Sequence, residues 1–215
     1  MCAVTSVRFP DEEFAKLKKT LITYQWGLQT LLTKVNIIYE DFENFSESNP
    51  IENIRTRIKD PESIAEKLHR WGHALTNENA KLYIKDIAGI RITCTYSRDI
   101  SRLVSLLRQV PNVTVLEEKD YVSNPKPSGY RGYHFYTETP VFFSGSVENI
   151  PVEIQIRTSA MDFWATLEHK AKYKHKTHIP EHLSDELIQC ANTIAEVDER
   201  MFTLHNVIKR LKTEP

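Results

Sequence analysis

Apolar residues recur every three or four positions at both ends of this chain and follow shorter patterns in its middle. Residues 11 to about 45 and about 183–212 show the helical spacing, so each stretch predicts a long amphipathic helix. Gly27 is a weak point in the first helix because glycine is a poor helix former. Between the helices, alternating or short apolar runs predict strands at 87–96, 113–116, 132–136, 141–143 and 151–158.

Local signals place shorter helices among these strands. Asp60 followed by Pro61 suits the start of a helix running to about Trp71, with Asp60 as its N-cap. Asp99 is expected to start another helix, and 161–174 forms a further one. Stretches rich in proline, glycine, serine or asparagine predict a linker, a loop and a turn at 46–50, 123–129 and 144–146. The order is a helical arm, a mixed β/α core and a second helical arm, with boundaries expected at 1–48, 49–178 and 179–215.

The strand predicted at 151–158 separates apolar from polar side chains with period two. One side is apolar, with Val152, Ile154 and Ile156. The other side carries an acid, an amide and a base spaced by roughly 7 Å, namely Glu153, Gln155 and Arg157. Such a row is either a solvated outer face or one wall of a polar cleft, and its surroundings decide between the two.

Composition narrows the classes of function. The 215 residues are 40% hydrophobic and 27% charged, with a net charge of −1, so no overall field draws the chain to nucleic acid or membrane. Anion binding must therefore come from a local cluster. The three cysteines are scattered without a Cys-x-x-Cys pair, which argues against disulfides or a zinc site and favours a reducing compartment. No signal peptide or membrane-spanning run is present, so a cytoplasmic protein is expected.

Two polar groups precede predicted elements of the core. Arg55, Arg57 and Lys59 lie just before the helix capped by Asp60, where a helix N-terminus is itself favourable for anions. The alternative for these cations is a solvated basic turn. Asp86 stands at the entry to an apolar strand, and a carboxylate there is a common Mg²⁺ ligand. Its alternative is a turn-capping aspartate.

A third group follows the loop at 123–129. Tyr130 and Arg131 lie between two glycines after Lys126, which suits base stacking and phosphate binding; the alternative is a tight turn with a surface tyrosine. His134 taken alone is more often a packed strand histidine. Together with Glu153, Asp86 gives two carboxylates on strands of one sheet, a composition suited to polyphosphate chemistry through Mg²⁺.

Five segments in this order resemble the synthetase domain of the RelA/SpoT family, specifically its stand-alone small alarmone synthetases. They are Arg57-x-Lys59-x-x-x-Ser63-Ile64, Asp86-Ile87-Ala88-Gly89-Ile90-Arg91, Ser128-Gly129-Tyr130-Arg131-x-Tyr133-His134, Glu153-Ile154-Gln155-Ile156-Arg157-Thr158 and Phe163-Trp164-Ala165-Thr166-Leu167-Glu168-His169. The resemblance covers about residues 50–178. It implies an α+β fold, a mixed β-sheet flanked by helices and related to nucleotidyltransferases.

The resemblance also implies an activity and roles for residues. The β,γ-pyrophosphate of ATP would move to the 3′-hydroxyl of GDP or GTP, giving ppGpp or pppGpp and AMP. ATP would be held by Arg57 and Arg91 around the adenine and by Lys59 and Ser63 at the phosphates. Mg²⁺ would bind Asp86 and Glu153, and Glu153 either accepts the 3′-hydroxyl proton or only holds the metal. The acceptor site would comprise Tyr130 stacked on guanine, with Lys126, Arg131, His134 and Gln155.

Further expectations concern what the chain lacks and how it assembles. No histidine is followed by aspartate, so the hydrolase activity of long RelA/SpoT proteins is not expected. The two arms predict a homo-oligomer, by resemblance a tetramer, and regulation by RNA or by (p)ppGpp is left open. The basic segment 170–178 is either a solvated helix end or a contact for phosphate or RNA. Two rivals are a non-catalytic nucleotide- or RNA-binding module, which predicts a lost carboxylate, and a nucleotidyltransferase acting on RNA, which predicts an Asp-x-Asp pair.

Overall fold

The structure, a computed structural model, describes residues 7–174 and 180–213. It has six helices and five strands in these ranges: α1 (Asp11–Phe45), β1 (Ile51–Ile58), α2 (Pro61–Arg70), α3 (Asn77–Tyr83), β2 (Ala88–Cys94), α4 (Ser97–Leu107), β3 (Thr114–Asp120), β4 (Tyr133–Phe142), β5 (Val147–Thr158), α5 (Ser159–Lys174) and α6 (Glu181–Thr213). Among the described residues, no helix combines the length and apolar character needed to cross a membrane.

The five strands form one mixed sheet in the order β1-β2-β5-β4-β3. Only β2 and β5 are parallel within it, and the other neighbours are antiparallel. One face is apolar and packs against α1 and α4, with Ile90, Ile92, Phe135, Ile154 and Ile156 at most 1% exposed. This alternation is what period two along the strands predicts, and it leaves the polar side chains together on the opposite face.

Helix α1 has the predicted bounds and closes the main core. Its inner stripe, Leu17, Leu28, Leu31 and Val35, is buried in the same cluster as the sheet residues. Gly27 has a packing role there, because a Cβ atom at this position would lie 2.4 Å from Cγ2 of Ile150 on β5. Glycine thus permits the helix to approach the sheet closely.

Helix α6 packs mainly against α5 and forms a second, smaller cluster. Trp164 donates from Nε1 to the carbonyl of Leu187 at 2.9 Å. Gly129, which has a φ of +86°, brings its loop against Ala191 of α6, where an added Cβ would be 2.7 Å from the alanine Cβ. The C-terminal helix therefore supports the loop that leads to Tyr130. Its other side is open, and the six apolar residues there are 49–68% exposed: Val197, Met201, Leu204, Val207, Ile208 and Leu211.

The sequence interpretation missed strand β1. Arg55 and Arg57 lie on this edge strand, so the alternative of a basic turn is wrong. The register shifts between Ile51 and Asn53, and this bulge puts Ile51 out of phase with the isoleucines that follow. Ile51, Ile54 and Ile58 are therefore three and four residues apart, and this spacing does not show the period of two that identifies a strand.

Several element boundaries also differ from the prediction. Helix α3 was missed, since only seven residues and a cap by Thr76 define it. The stretches predicted at 132–136 and 141–143 are parts of one strand, β4 (Tyr133–Phe142), because its pairing with β5 is unbroken over this range. Pro140 is tolerated within it because the ladder with β3 reaches only Glu138. Helix α4 begins at Ser97, while Asp99 accepts from the backbone N–H of Tyr96 at 3.1 Å. The basic tail falls partly at 175–179, outside the described residues, so its role stays a prediction.

Candidate functional site

Sheet register assembles the polar face. Glu153 on β5 is paired with Gly89 on β2 and with Tyr136 on β4. Gln155 is paired with Arg91 and His134 on the same two strands. Since β1 sets Arg57 opposite Gly89 and Arg55 opposite Arg91, two polar rows run across the sheet. Glu153 and Arg157 are only 3% and 6% exposed, so the row on β5 is a cleft wall rather than a solvated face.

Five side chains on this face close a hydrogen-bonded ring. Arg157 donates from Nε to the Tyr130 hydroxyl at 3.1 Å, and that hydroxyl lies 2.5 Å from His134 Nε2. His134 Nδ1 lies 2.9 Å from Glu153 Oε1. Gln155 donates to Glu153 Oε2 at 2.8 Å and accepts from Arg157 Nη2 at 3.0 Å. The tyrosine oxygen accepts from Arg157, and His134 bridges the Tyr130 hydroxyl and the Glu153 carboxylate through its two ring nitrogens.

Tyr130 is buried rather than a surface residue on a turn, with 9% of it exposed. Two cations approach its ring: Lys126 Nζ lies 4.8 Å and the Arg157 guanidinium 4.9 Å from the centroid. Burial lowers the pKa of Lys126. Stacking of a base on Tyr130 stays a prediction, and it requires a base to compete with one of these cations for the ring.

Asp86 is enclosed by cations. Its two oxygens accept from Lys59 Nζ at 2.8 Å and from Lys67 Nζ at 2.7 Å, and Arg57 Nη2 lies at 3.4 Å. Burial alone would raise the pKa of Asp86, but the charges and hydrogen bonds of the two lysines outweigh burial and lower it to about 2. Glu153 is similar: burial opposes ionisation, yet the hydrogen bonds from His134 and Gln155 lower its pKa. Both carboxylates are therefore ionised at neutral pH.

These two carboxylates fit a hard divalent cation. Mg²⁺ takes oxygen ligands and usually keeps several waters while binding one or two carboxylates plus substrate phosphates. Within 7–174 and 180–213, no group of three or more histidine, cysteine, aspartate or glutamate residues forms a complete protein cage for a metal. The oxygens of Asp86 accept hydrogen bonds from Lys59 and Lys67. A metal bound to Asp86 would displace these ammonium groups, which would then be able to donate to phosphate oxygens.

Two cavities open on the polar face of the sheet, and Glu153 lines the first of them. One of about 230 Å³ is lined by Arg55, Arg57, Gly89, Arg91 and Glu153, among others. Another of about 490 Å³ is lined by Tyr130, Arg157, Glu168 and Lys170, among others, and it shares Arg55, Arg57, Arg91 and Gln155 with the first. Ser63 lies beside the first group of cations in the opening turn of α2, where its N–H and hydroxyl both donate to Asp60, at 2.7 and 2.8 Å. The N-cap prediction is thereby confirmed.

Arg131 is the predicted site residue that the structure does not bring into this cleft. Its Nη1 donates to the carbonyl of Val122 at 3.1 Å, and it lines a small cavity under α6 beside Trp164 and Asp198. The side chains at 130 and 131 point in different directions, which residue type alone does not reveal. The acceptor role of Arg131 stays a prediction without geometric support.

Three residues of the site escaped the sequence interpretation. Lys67 lies four residues after Ser63 on α2, and this helical spacing indicates that the two side chains share one face of the helix. Tyr136 lies two residues after His134 on the same face of β4, and burial followed by the nearby Glu153 raises its pKa. Asp162, in the first turn of α5, contacts two arginines of the cleft, and nothing in its local sequence indicates this.

Comparison with known proteins is consistent with this geometry. The region found in RelA / SpoT proteins matches residues 56–178. The GTP pyrophosphokinase YwaC of Bacillus subtilis (strain 168) is 43% identical over 184 residues, covering 86% of this chain and 88% of the relative. Crystal structures of the small alarmone synthetase 1 from Bacillus subtilis also match. With its product pppGpp bound, the TM-score is 0.84 at 32% identity, over 91% of this chain and 99% of that chain. With AMPCPP bound, it is 0.75 at 29%, over 91% and 98%.

The fold and the cleft define a synthetase-like α+β domain, as the sequence predicted. The chain belongs to the RelA/SpoT family. The chain covers 88% of YwaC and 99% of the pppGpp-bound synthetase chain, so it is similar in length to these two relatives.

Proposed function

We propose that this chain is a GTP pyrophosphokinase that transfers the β,γ-pyrophosphate of ATP to the 3′-hydroxyl of GDP or GTP, releasing AMP. The observation that carries the proposal is a pair of ionised carboxylates beside a cation-lined cavity: Glu153 lines this cavity, and Asp86 lies 3.4 Å from Nη2 of Arg57, which also lines it. The names of the relatives and the two nucleotide complexes support it. A non-catalytic binding module would not need both carboxylates, and both are present.

ATP is assigned to the cavity beside β1 and β2. Arg57 and Arg91 would hold the adenine, while Lys59, Ser63 and Lys67 would reach the phosphates from the start and face of α2. Mg²⁺, held by Asp86 and Glu153, would neutralise the negative charge that develops on the pyrophosphate. Because the lysines already meet at Asp86, they are close to the place where phosphate oxygens would replace the carboxylate as their acceptor.

The acceptor nucleotide is assigned to the cavity beside Tyr130, with Lys126, His134 and Gln155. The 3′-hydroxyl must lose its proton as it attacks the β-phosphorus. Glu153 would receive that proton or hold the metal, and its hydrogen bonds with His134, Gln155 and Tyr136 support this role because they fix the orientation of the carboxylate. Its lowered pKa makes it a weak base, so its main contribution would be to orient the hydroxyl and stabilise charge. We further expect a cytoplasmic enzyme.

Incubation with ATP, GDP and Mg²⁺ tests the proposal. Pure protein should form AMP together with guanosine carrying a 3′-pyrophosphate, in equal amounts, as measured by chromatography. Asp86→Asn and Glu153→Gln should each lower the rate by at least about 10²-fold, which is the scale of a lost electrostatic or acid–base contribution. The proposal fails if no AMP forms, and the carboxylate roles fail if either variant keeps its rate.

The same preparation should not degrade its product. Long family members place a hydrolase domain with a histidine–aspartate metal pair before the synthetase, and no histidine of this chain is followed by aspartate. Release of pyrophosphate from ppGpp in the presence of Mn²⁺ is the measurement, and its occurrence would contradict this expectation.

A further inference from the structure

A single carboxylate oxygen joins the two halves of the cleft. Asp162 Oδ1 lies 3.2 Å from Nη1 of Arg91 on β2 and 3.1 Å from Nη1 of Arg157 on β5. All three side chains are largely buried, with 15%, 28% and 8% of each exposed, respectively. Ion pairs at this degree of burial are screened less by solvent than surface pairs are.

The two arginines would repel each other without this oxygen. They lie on neighbouring strands of the same face, two residues apart in register, because Thr93 is the residue paired with Arg157. The pKa of Arg91 is lowered by burial first and by the charge of Arg157 second, while Asp162 acts in the opposite direction. Asp162 therefore offsets a repulsion that the sheet register imposes.

The two arginines make different contacts in the site. The other two nitrogens of Arg157 donate to the Tyr130 hydroxyl and to the side-chain oxygen of Gln155 in the hydrogen-bonded ring. A change in the orientation of Arg157 would therefore alter the hydrogen bonds that hold Glu153. Arg91 lines both cavities and has no hydrogen-bond partner for its buried Nε among the described residues. We propose that Asp162 is a positioning residue that fixes Arg91 for the donor nucleotide and Arg157 for the acceptor nucleotide at the same time.

The inference rests on the proposed function for the identity of the two nucleotides. It gives a specific signature, because one substitution at Asp162 disturbs two sites that other substitutions disturb singly. Asp162→Asn keeps the shape and one accepting oxygen but removes the charge. We expect it to weaken binding of AMPCPP and of GDP together, each by about 10- to 150-fold, the scale of a hydrogen bond to a charged group.

Isothermal titration of each nucleotide measures this effect without requiring turnover. Arg91→Lys should weaken chiefly AMPCPP and Arg157→Lys chiefly GDP. Asp162→Asn should then be introduced into each of these two variants. For the nucleotide whose binding the arginine substitution already weakens, it should reduce the affinity by a smaller factor than it does in the native chain, because residues that act as a unit are not additive. Asp185→Asn, the same chemical change on exposed α6, is the matched control and should leave both affinities unchanged.

Thermal melting separates positioning from support of the fold. A variant Asp162→Asn that melts at a lower temperature but binds both nucleotides within twofold of the native chain overturns the proposal. Weakening of only one nucleotide also overturns it. Failure of the proposed function is seen separately, as absence of AMP formation by the unsubstituted protein.

Discussion

The ion pairs of Asp86 with its two lysines make the free energy of unfolding of this protein depend on pH at acidic values. The pKa of this carboxyl falls from 3.8 to about 2 on folding, so it stabilises the native state above the unfolded value and the contribution disappears as the pH falls through about 2. At 1.36 kcal/mol per pKa unit, the full contribution is about 2 kcal/mol. Other carboxylates also titrate in this range, so the difference between two chains isolates Asp86.

Urea unfolding at pH 6 and pH 3 measures that difference. The native chain should lose about 1 kcal/mol more than Asp86→Asn between these two values, because Asp86 then remains ionised in the folded state while its unfolded form is mostly protonated. An equal loss in both chains would show that the lysines do not lower the pKa as described.

Tyr130 has two separable contributions, its ring and its hydroxyl. Tyr130→Ala should raise the KM for GDP strongly and leave the KM for ATP nearly unchanged, because the ring is assigned to guanine. Tyr130→Phe keeps the ring but removes the link between Arg157 and His134, so it should lower kcat more than it raises the acceptor KM. Steady-state kinetics with each substrate varied in turn distinguishes the two. A selective rise in the KM for ATP would exchange the base assignments.

Individual site residues were predictable when order and spacing carried them. Glu153 stands on a strand whose neighbours alternate, so register places it beside Gly89 of β2, whereas Asp86 lies in the turn just before that strand. Asp162 and Arg131 were not predictable in this way. Whether a side chain enters the cleft there depends on how α5 and the loop before β4 are oriented, and that orientation comes from tertiary packing on α6.

At the scale of elements, Gly27 shows a conflict between helix propensity and packing. Alanine is the better helix former by about 1 kcal/mol. Nevertheless, Gly27→Ala should lower the stability, because the new methyl group would overlap Ile150 at the closest contact between α1 and β5. The midpoint of urea unfolding is the measurement. Gly145→Ala, where no heavy atom lies within 4 Å of the added Cβ, is the control.

Long helices were predictable element by element, whereas irregular strands were not. The period of α1 and α6 persists over 35 and 33 residues, so small deviations do not hide it. Strand β1 has eight residues and a bulge at its start, and a single shift removes much of its alternation. Arg55 and Arg57 lie on that strand, and without its alternation the sequence left a basic turn open for them.

The whole molecule leaves apolar surface on its helices. In addition to the open side of α6, the outer side of α1 exposes Ile22, Trp26, Ile37 and Phe45. Surface of this kind on two helices favours self-association, and closed symmetry is the usual way to cover it. We predict a homo-oligomer, most simply a tetramer, with about four times the 25.0 kDa chain mass in light scattering at micromolar concentration.

Leu204→Glu tests which surface is used. The residue is 55% exposed, so a charge there should cost the single chain little, but it should dissociate an assembly that buries α6. Loss of mass in light scattering together with lower activity is expected. A native chain that is already monomeric would contradict the prediction.

The parallel pairing of β2 and β5 has a consequence for how the protein acquires its activity. Strands β1 and β2 are close in sequence, as are β3 to β5, but joining the two sets closes a connection of about 50 residues at a cost in chain entropy. This step is expected to limit the refolding rate, while the long helices recover earlier from local contacts. Nucleotide binding should therefore return later than the helical circular dichroism signal. A chain synthesised only as far as residue 146 carries Asp86 and its lysines but cannot yet form the cleft.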